Sequence, residues 1–179
     1  MPLAALQRAL AHLYTDEGAR ERLRRDPGAF ARSLALGPAD LASVTSIGET
    51  RLHAYADSLD RKRANECARA LPLSARALGP RFRAEFLRFA RRVPLGAGPR
   101  RYRDDAVAFA ANLTRHCGPA ERALLAFEAR SGPGIGFYRY CVPELARAAA
   151  RGARIEDAEP RLTLVLRWSR GRCLALGLP

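Results

Sequence analysis

The segment that decides the fold runs from Asp60 to Val93 and reads DRKRANECARALPLSARALGPRFRAEFLRFARRV. Apolar residues recur in it every three to four positions, which is the spacing of one face of a helix. Pro72 and the Gly79–Pro80 pair interrupt the pattern, because proline ends a helix or opens a new one. We therefore expect the end of a long helix that begins near Ile47, one short helix, and a third helix from Pro80 onward.

The third of these helices carries a stripe of aromatic residues. Phe82, Phe86 and Phe89 lie at positions i, i+4 and i+7, and Val93 continues the same face. A stripe at this spacing is typical of a packed core, so we expect these rings to be buried. The arginines of this helix fall on a separate face, which we expect to be exposed.

Positive charge is concentrated in the same region. The chain has 179 residues and a formal net charge of +13, and from Arg61 to Arg103 thirteen basic residues stand against two acidic ones, Glu66 and Glu85. Two interpretations stay open. The arginines form a surface for an anionic or carbonyl-rich partner, or they are solvated residues of a chain whose single lysine, Lys62, points to a general preference for arginine.

Arg63 conflicts with its surroundings. At 3.6 residues per turn it falls on the apolar face that Leu52 and Leu59 begin, not on the charged face. One solution is an ion pair with Glu66, three positions along the helix. The other is a carboxylate or backbone carbonyl supplied by a partner.

The last third of the chain changes character. IGFYRYCV (135–142) has the aromatic and β-branched composition of a strand, and RLTLVLRW and CLALGLP flank a short turn at 169–172. The sequence therefore predicts an α+β protein that is mostly α. An N-terminal multi-helix bundle is followed by a small C-terminal antiparallel sheet of two or three strands.

A domain boundary is predicted where glycine and proline cluster. PLGAGPRR, from Pro94 to Arg101, has one large apolar residue and reads as a linker. We expect an N-terminal helical domain at 1–93, this linker at 94–101, and a C-terminal domain at 102–179 made of a helix pair and the sheet.

The side chains that usually carry catalysis are scattered. The four cysteines form no CxxC pair, which argues against a zinc site or a disulfide framework and favours reduced thiols in the cytoplasm. His116 and Cys117 are adjacent, so on a helix they diverge by about 100°. No segment has the length and hydropathy of a membrane span. We expect a protein that is not an enzyme, has no cofactor of its own and does not enter a membrane.

Two long stretches carry a family resemblance. LYTDEGARERLRRDPGAFARSLALGPADL (13–41) and RLHAYADSLDRKRANECARALPLSARALGPRFRAEFLRFA (51–90), with the strand-rich end, resemble small actinobacterial-type accessory proteins. These are partners of TIM-barrel multinuclear non-haem iron oxidases that modify ribosomally made peptides, as the methanobactin accessory subunit is. The resemblance implies a non-catalytic subunit in a heterodimer with the iron oxidase, which helps present a precursor peptide. Iron would belong to the partner enzyme.

Two routes to peptide or partner binding follow. A strand of the C-terminal sheet could accept an extended leader peptide by β-augmentation, or the arginine face of residues 61–92 could hold acidic groups through bidentate guanidinium contacts. Trp168 is either an interface anchor or a lid over the sheet core. The alternative function is a basic helical nucleic-acid-binding protein, whose affinity would fall steeply with salt. The residues expected at the interface are Arg61, Arg63, Arg76, Arg81, Arg88, Arg92, Arg167, Trp168, Arg170 and Arg172.

Overall fold

The computed structural model describes residues 3–130, 132–169 and 172–177. Its helices are α1 (Leu3–Thr15), α2 (Glu17–Arg25), α3 (Pro27–Leu34), α4 (Pro38–Ser46), α5 (Glu49–Ala70), α6 (Pro72–Leu78), α7 (Pro80–Ala90), α8 (Arg101–Leu113), α9 (Pro119–Ala129) and α10 (Val142–Ala150). Its strands are β1 (Gly134–Tyr138), β2 (Thr163–Ser169) and β3 (Arg172–Gly177). The predicted α+β class, mostly α with a small C-terminal antiparallel sheet, is confirmed.

Five of the ten helices named above begin at a proline. α3, α4, α6, α7 and α9 each begin at a proline, whose missing N–H costs nothing in the first turn. Aspartate supplies two further caps: Asp16 accepts a hydrogen bond from the Gly18 N–H at 2.7 Å, and Asp26 accepts one from the Ala29 N–H at 2.8 Å. The three helices predicted around Pro72 and Pro80 are α5, α6 and α7.

The chain divides into two compact units, residues 1–63 and residues 64–179. The first unit has its own apolar core, drawn from α1 to α4 and the first part of α5. Leu13 and Val44 are fully buried in it, and Phe30 is nearly so. Short amphipathic helices of this kind are stable because they bury these faces together.

The second unit contains two apolar clusters. In one, α7 and α8 pack through phenylalanines, with ring centroids of Phe109 lying 5.2 Å from Phe82 and 5.1 Å from Phe86. The other lies between α9, α10 and the sheet. The linker predicted at residues 94–101 therefore falls inside the second unit, because the helices before and after it share one core. The division into two compact units lies between residues 63 and 64.

The sheet has the strand order β1-β2-β3 and is antiparallel throughout. Leu166 of β2 shows the register of both strand pairs: it lies opposite Ile135 of β1 on one side and opposite Leu174 of β3 on the other. α10 occupies the connection from β1 to β2. The central strand is thus contributed by the predicted RLTLVLRW segment, and β1 and β3 are the two edges.

Gly79 joins α6 to α7 in a conformation that favours glycine, with φ 54° and ψ −134°. An alanine there would meet backbone strain of about 1–3 kcal/mol. We expect Gly79→Ala to lower the free energy of unfolding by that amount, measured by urea denaturation. Gly96→Ala is the matched control, since Gly96 lies in the α7–α8 connection with open space around it. Equal stability of the two variants would contradict the prediction.

Candidate partner-binding surface

The C-terminal sheet has one buried face and one exposed face. Successive side chains of a strand point to opposite faces. Thr163 and Val165 of β2 and Tyr138 of β1 are buried against the cluster formed with α9 and α10. The residues between them in sequence point the other way, where no element of the described chain covers them.

The exposed face is almost wholly apolar. Two rows of side chains cross the three strands: Ile135, Leu166 and Leu174 form one, and Phe137, Leu164 and Leu176 form the other. Phe137 is 69% exposed and Ile135 is 57% exposed. We call this surface the outer sheet face; its members are Ile135, Phe137, Leu162, Leu164, Leu166, Trp168, Leu174 and Leu176.

No carboxylate stands among the strands of this sheet. GIGFY, TLVLRWS and RCLALG contain neither aspartate nor glutamate, and the last two contain one arginine each. Within residues 132–169 and 172–177, β1 and β3 each pair on one side only, with β2. Unpaired N–H and C=O groups on such edges can hydrogen-bond a further extended strand.

Carboxylates of the same chain pair with some arginines on the predicted arginine face of α7. Arg81 Nη1 donates to Glu121 Oε1 at 3.1 Å, and Arg88 Nη1 donates to Glu85 Oε1 at 2.9 Å. Arg81 also donates to the His116 carbonyl. These two guanidinium groups therefore already have carboxylate partners, which reduces their availability for an external anion.

Other predicted arginines differ in exposure. Arg61, Arg76 and Arg92 are exposed; among the residues that the structure describes, Arg76 and Arg92 form no ion pair. Arg63 is buried, at 8% exposure, as its place on the apolar face of α5 predicted. The Glu66 carboxylate, one of the two partners considered for Arg63, accepts a hydrogen bond from Arg69 at 2.7 Å.

Arg167 and Trp168 are neighbours in β2 but do different things. The Arg167 guanidinium lies 4.1 Å from the centre of the Phe127 ring and donates to the carbonyls of Phe127 and Arg130 at 2.8 and 2.7 Å. Arg167 therefore ties the sheet to the end of α9. Trp168 is 54% exposed, so it does not close the sheet core as a lid would.

The structure gives little information on two of the predicted interface residues, Arg170 and Arg172. Arg170, with the centre of the predicted 169–172 turn, lies outside the described residues. The backbone of Arg172 begins β3, opposite Ser169, and its side chain is not described.

The Arg81–Glu121 pair influences a thiol of unusually weak acidity, that of Cys117. Glu121 is 4% exposed and also accepts a hydrogen bond from the Gly118 N–H at 2.9 Å. Burial, and then the neighbouring Glu121 charge, raise the pKa of Cys117 to about 12. Since the thiolate is the reactive form, this cysteine is a poor nucleophile and a poor metal ligand at neutral pH.

Neither a metal site nor a bilayer span is formed by the described residues. His, Cys, Asp and Glu side chains do not gather in groups of three there as metal ligands would. In the same part of the chain, no helix has both the length and the hydropathy of a transmembrane segment.

Sequence reasoning missed the outer sheet face. The alternation of leucines with Thr163, Val165 and Arg167 was visible, but both sets contain apolar residues, so alternation alone does not say which set is buried. A weak signal was present: glycines of β1 and β3 fall on the same face as Thr163 and Val165, where helices pack closely. The exposed face is the one that carries the larger side chains.

Comparison with known families adds one match. Residues 46–115 match the family described as SCO6045-like, C-terminal domain. The matched region contains the whole Asp60–Val93 segment and reaches the 3₁₀ turn that follows α8. The sheet lies beyond it. No curated protein matches the chain.

Proposed function

We propose that the chain is a non-catalytic accessory subunit that binds a multinuclear non-haem iron oxidase of the TIM-barrel kind and helps present a ribosomally made precursor peptide to it. The outer sheet face would contact the enzyme, and an open sheet edge would bind the peptide. The oxidase and the peptide come from the family resemblance. The observation that carries the proposal is the outer sheet face itself.

A face of this composition favours a protein partner. Monomeric soluble proteins rarely expose a contiguous apolar patch larger than a few hundred Å², and larger patches mark interaction sites. Trp168 and Phe137 are more than half exposed on this face. Aromatic residues supply much of the binding energy at protein interfaces because they bury a large apolar area with few rotatable bonds.

Charge argues against a second copy as the occupant. Two copies would each bring a net charge of +13 to the interface, and like charges repel. A partner with an apolar patch rimmed by acidic groups would bury the outer sheet face and would be attracted by the net positive charge of the chain. The exposed Arg76 and Arg92 would contribute to the rate of association more than to a fixed contact.

The test is co-expression with the iron oxidase encoded in the same gene neighbourhood, followed by purification through a tag on the oxidase. We expect a stable complex with the wild-type chain. Leu176→Asp should weaken it at least tenfold, because a carboxylate would be buried in an apolar contact. Leu3→Asp is the matched control: Leu3 is 65% exposed and lies on α1, so the same charge change should leave binding within twofold.

Peptide binding is read out separately. Hydrogen exchange of the complex with and without precursor peptide should show slower exchange in β1 or β3, since a bound strand would use the open N–H groups of an edge. Failure to form a complex would overturn the enzyme-binding part. Unchanged exchange in both edge strands would overturn the peptide-binding part.

A further inference from the structure

A cavity of about 580 Å³ lies within the second unit, on the side of the sheet opposite the outer face. Its walls come from the end of α5, the starts of α6 and α8, the end of α9, α10, and the inner face of β2 and β3. The volume is in the range of small-molecule sites, about 300–1,000 Å³. None of the side chains that form the outer sheet face lines it.

The lining combines an apolar surface with several guanidinium groups. Leu73, Phe127, Val142 and Ala146 supply apolar area. The charged residues at the cavity are five arginines and one glutamate: Arg69, Arg103, Arg130, Arg147, Arg167 and Glu128. The excess of positive charge around an apolar wall favours a ligand that has an anionic group and an apolar body.

Both oxygens of the Glu128 carboxylate, the only carboxylate among the described residues that line the cavity, already accept hydrogen bonds. Glu128 Oε1 accepts a hydrogen bond from the Leu73 N–H at 2.8 Å, and its Oε2 accepts from the Ser74 N–H at 2.7 Å and from the Ser74 hydroxyl at 2.6 Å. These bonds hold Glu128 against the start of α6. Both carboxylate oxygens of Glu128 are therefore engaged by the start of α6.

Three arginines keep their charge without an acidic partner. In the part of the chain that the structure describes, Arg130, Arg147 and Arg167 form no ion pair. Arg167 donates to two backbone carbonyls, and Arg147 Nε donates to the Pro143 carbonyl at 3.2 Å. Bonds to neutral carbonyls orient a guanidinium and leave its charge in place, so these groups are held ready for an anion.

Gly136 makes room for one of them. A Cβ at this position would lie 3.0 Å from Arg130 Nη1 and 2.7 Å from Tyr138 Cε2. The absence of a side chain on the inner face of β1 therefore allows the Arg130 guanidinium to lie against the strand. Arg130, which directly follows α9, also lines the cavity, as does Arg147 of α10.

We propose that this cavity binds a carboxylate carried on an apolar body, with Arg130 and Arg147 contacting the carboxylate and Phe127, Val142 and Ala146 contacting the apolar part. Two sources share this chemistry: the end of a peptide with an apolar last residue, and a small free acid. The site is separate from the outer sheet face and does not depend on the proposed function.

Matched pairs of ligands test the charge. The peptide pair is acetyl-glycyl-leucyl-phenylalanine and its C-terminal amide; the small-molecule pair is 4-phenylbutyrate and 4-phenylbutyramide. In calorimetric titrations we expect at least one acid to bind at least tenfold more tightly than its own amide. Whichever acid binds more tightly identifies the source. Equal affinities within both pairs, or no binding by either acid, would overturn the proposal.

Matched arginine variants test whether the acid binds at this cavity. Arg130→Gln with Arg147→Gln should weaken the binding of the acid at least tenfold and leave that of its amide within twofold. Arg122→Gln with Arg151→Gln is the control, because it removes the same charge from exposed positions on α9 and after α10. Equal loss in the two double variants would show general charge attraction and would contradict the site.

A third variant tests the apolar part. Ala146→Phe should fill the cavity and weaken acid and amide alike. Arg130 and Arg147 are both exposed, so the double variant that replaces them should fold and keep its far-ultraviolet circular dichroism unchanged. If Ala146→Phe fails to fold, this double variant still tests the proposal. Unchanged acid binding in a folded Ala146→Phe variant would contradict the proposal.

Discussion

Phe109→Ala is expected to destabilise the second unit by about 3–5 kcal/mol. Phe109 is 1% exposed and is the ring that joins α8 to α7. It packs edge-on to Phe82 and Phe86 and lies 5.5 Å from Phe89. Truncation removes the transfer free energy of burying the Phe109 ring. It also leaves a cavity, because the three neighbouring phenylalanine rings cannot move to fill the space.

The measurement is urea denaturation followed by circular dichroism. A loss of this size is a large part of the roughly 5–15 kcal/mol that stabilises a domain, so we expect the midpoint to fall sharply or native structure to be lost at 37 °C. Phe137→Ala is the control with the same change of side chain. Phe137 is 69% exposed on the outer sheet face, so its replacement should cost less than about 1 kcal/mol. A similar loss in both variants would contradict the assignment of the core.

The helical part of this fold could be predicted because its signals are local. Pro72 and Pro80 mark helix starts in any context, since the restriction on φ and the missing N–H belong to the residue itself. The phenylalanine spacing of α7 places three rings on one face, and burial of that face follows. Arg63 was correctly placed on the inward side of α5 by the same period.

The sheet face and the unit boundary depend on contacts between distant residues. Alternation in β2 gives two faces but not their burial, which depends on where α9 and α10 pack. The glycine- and proline-rich segment at 94–101 has linker composition, yet Phe82 and Phe109 contact each other across it. Composition describes the flexibility of a connection and says nothing about whether its ends share a core.

The binding surfaces show the same limit. Arg81 and Glu121 are forty positions apart, so no helical spacing could pair them, and Arg81 was expected on a free arginine face. The cavity near Arg130 and Arg147 collects residues from several segments of the chain. Its residue types are ordinary for an arginine-rich sequence, and only their convergence is informative.

Glu121→Ala is the second variant with a large expected effect. Glu121 is buried at the third position of α9, where it accepts from the Gly118 N–H and pairs with Arg81. Removing one partner of a fully buried pair costs about 3–5 kcal/mol. Because the Arg81 side chain is 41% exposed and can be hydrated, we expect about 2–4 kcal/mol, measured by urea denaturation. Glu66→Ala, which breaks the exposed pair with Arg69, should cost less than about 1 kcal/mol.

The same variant should change the chemistry of Cys117. With a pKa of about 12, only about one Cys117 thiol in a thousand is ionised at pH 9. Glu121 raises that pKa and Arg81 lowers it, so removing Glu121 lowers the pKa and increases the thiolate fraction. We expect alkylation by iodoacetamide at pH 9, followed by peptide mass spectrometry, to be at least tenfold faster at Cys117. Cys67, which is 1% exposed, reports unfolding in the same sample. A parallel rise at Cys67 would assign the effect to lost stability, and an unchanged Cys117 rate would contradict the role of the Glu121 charge.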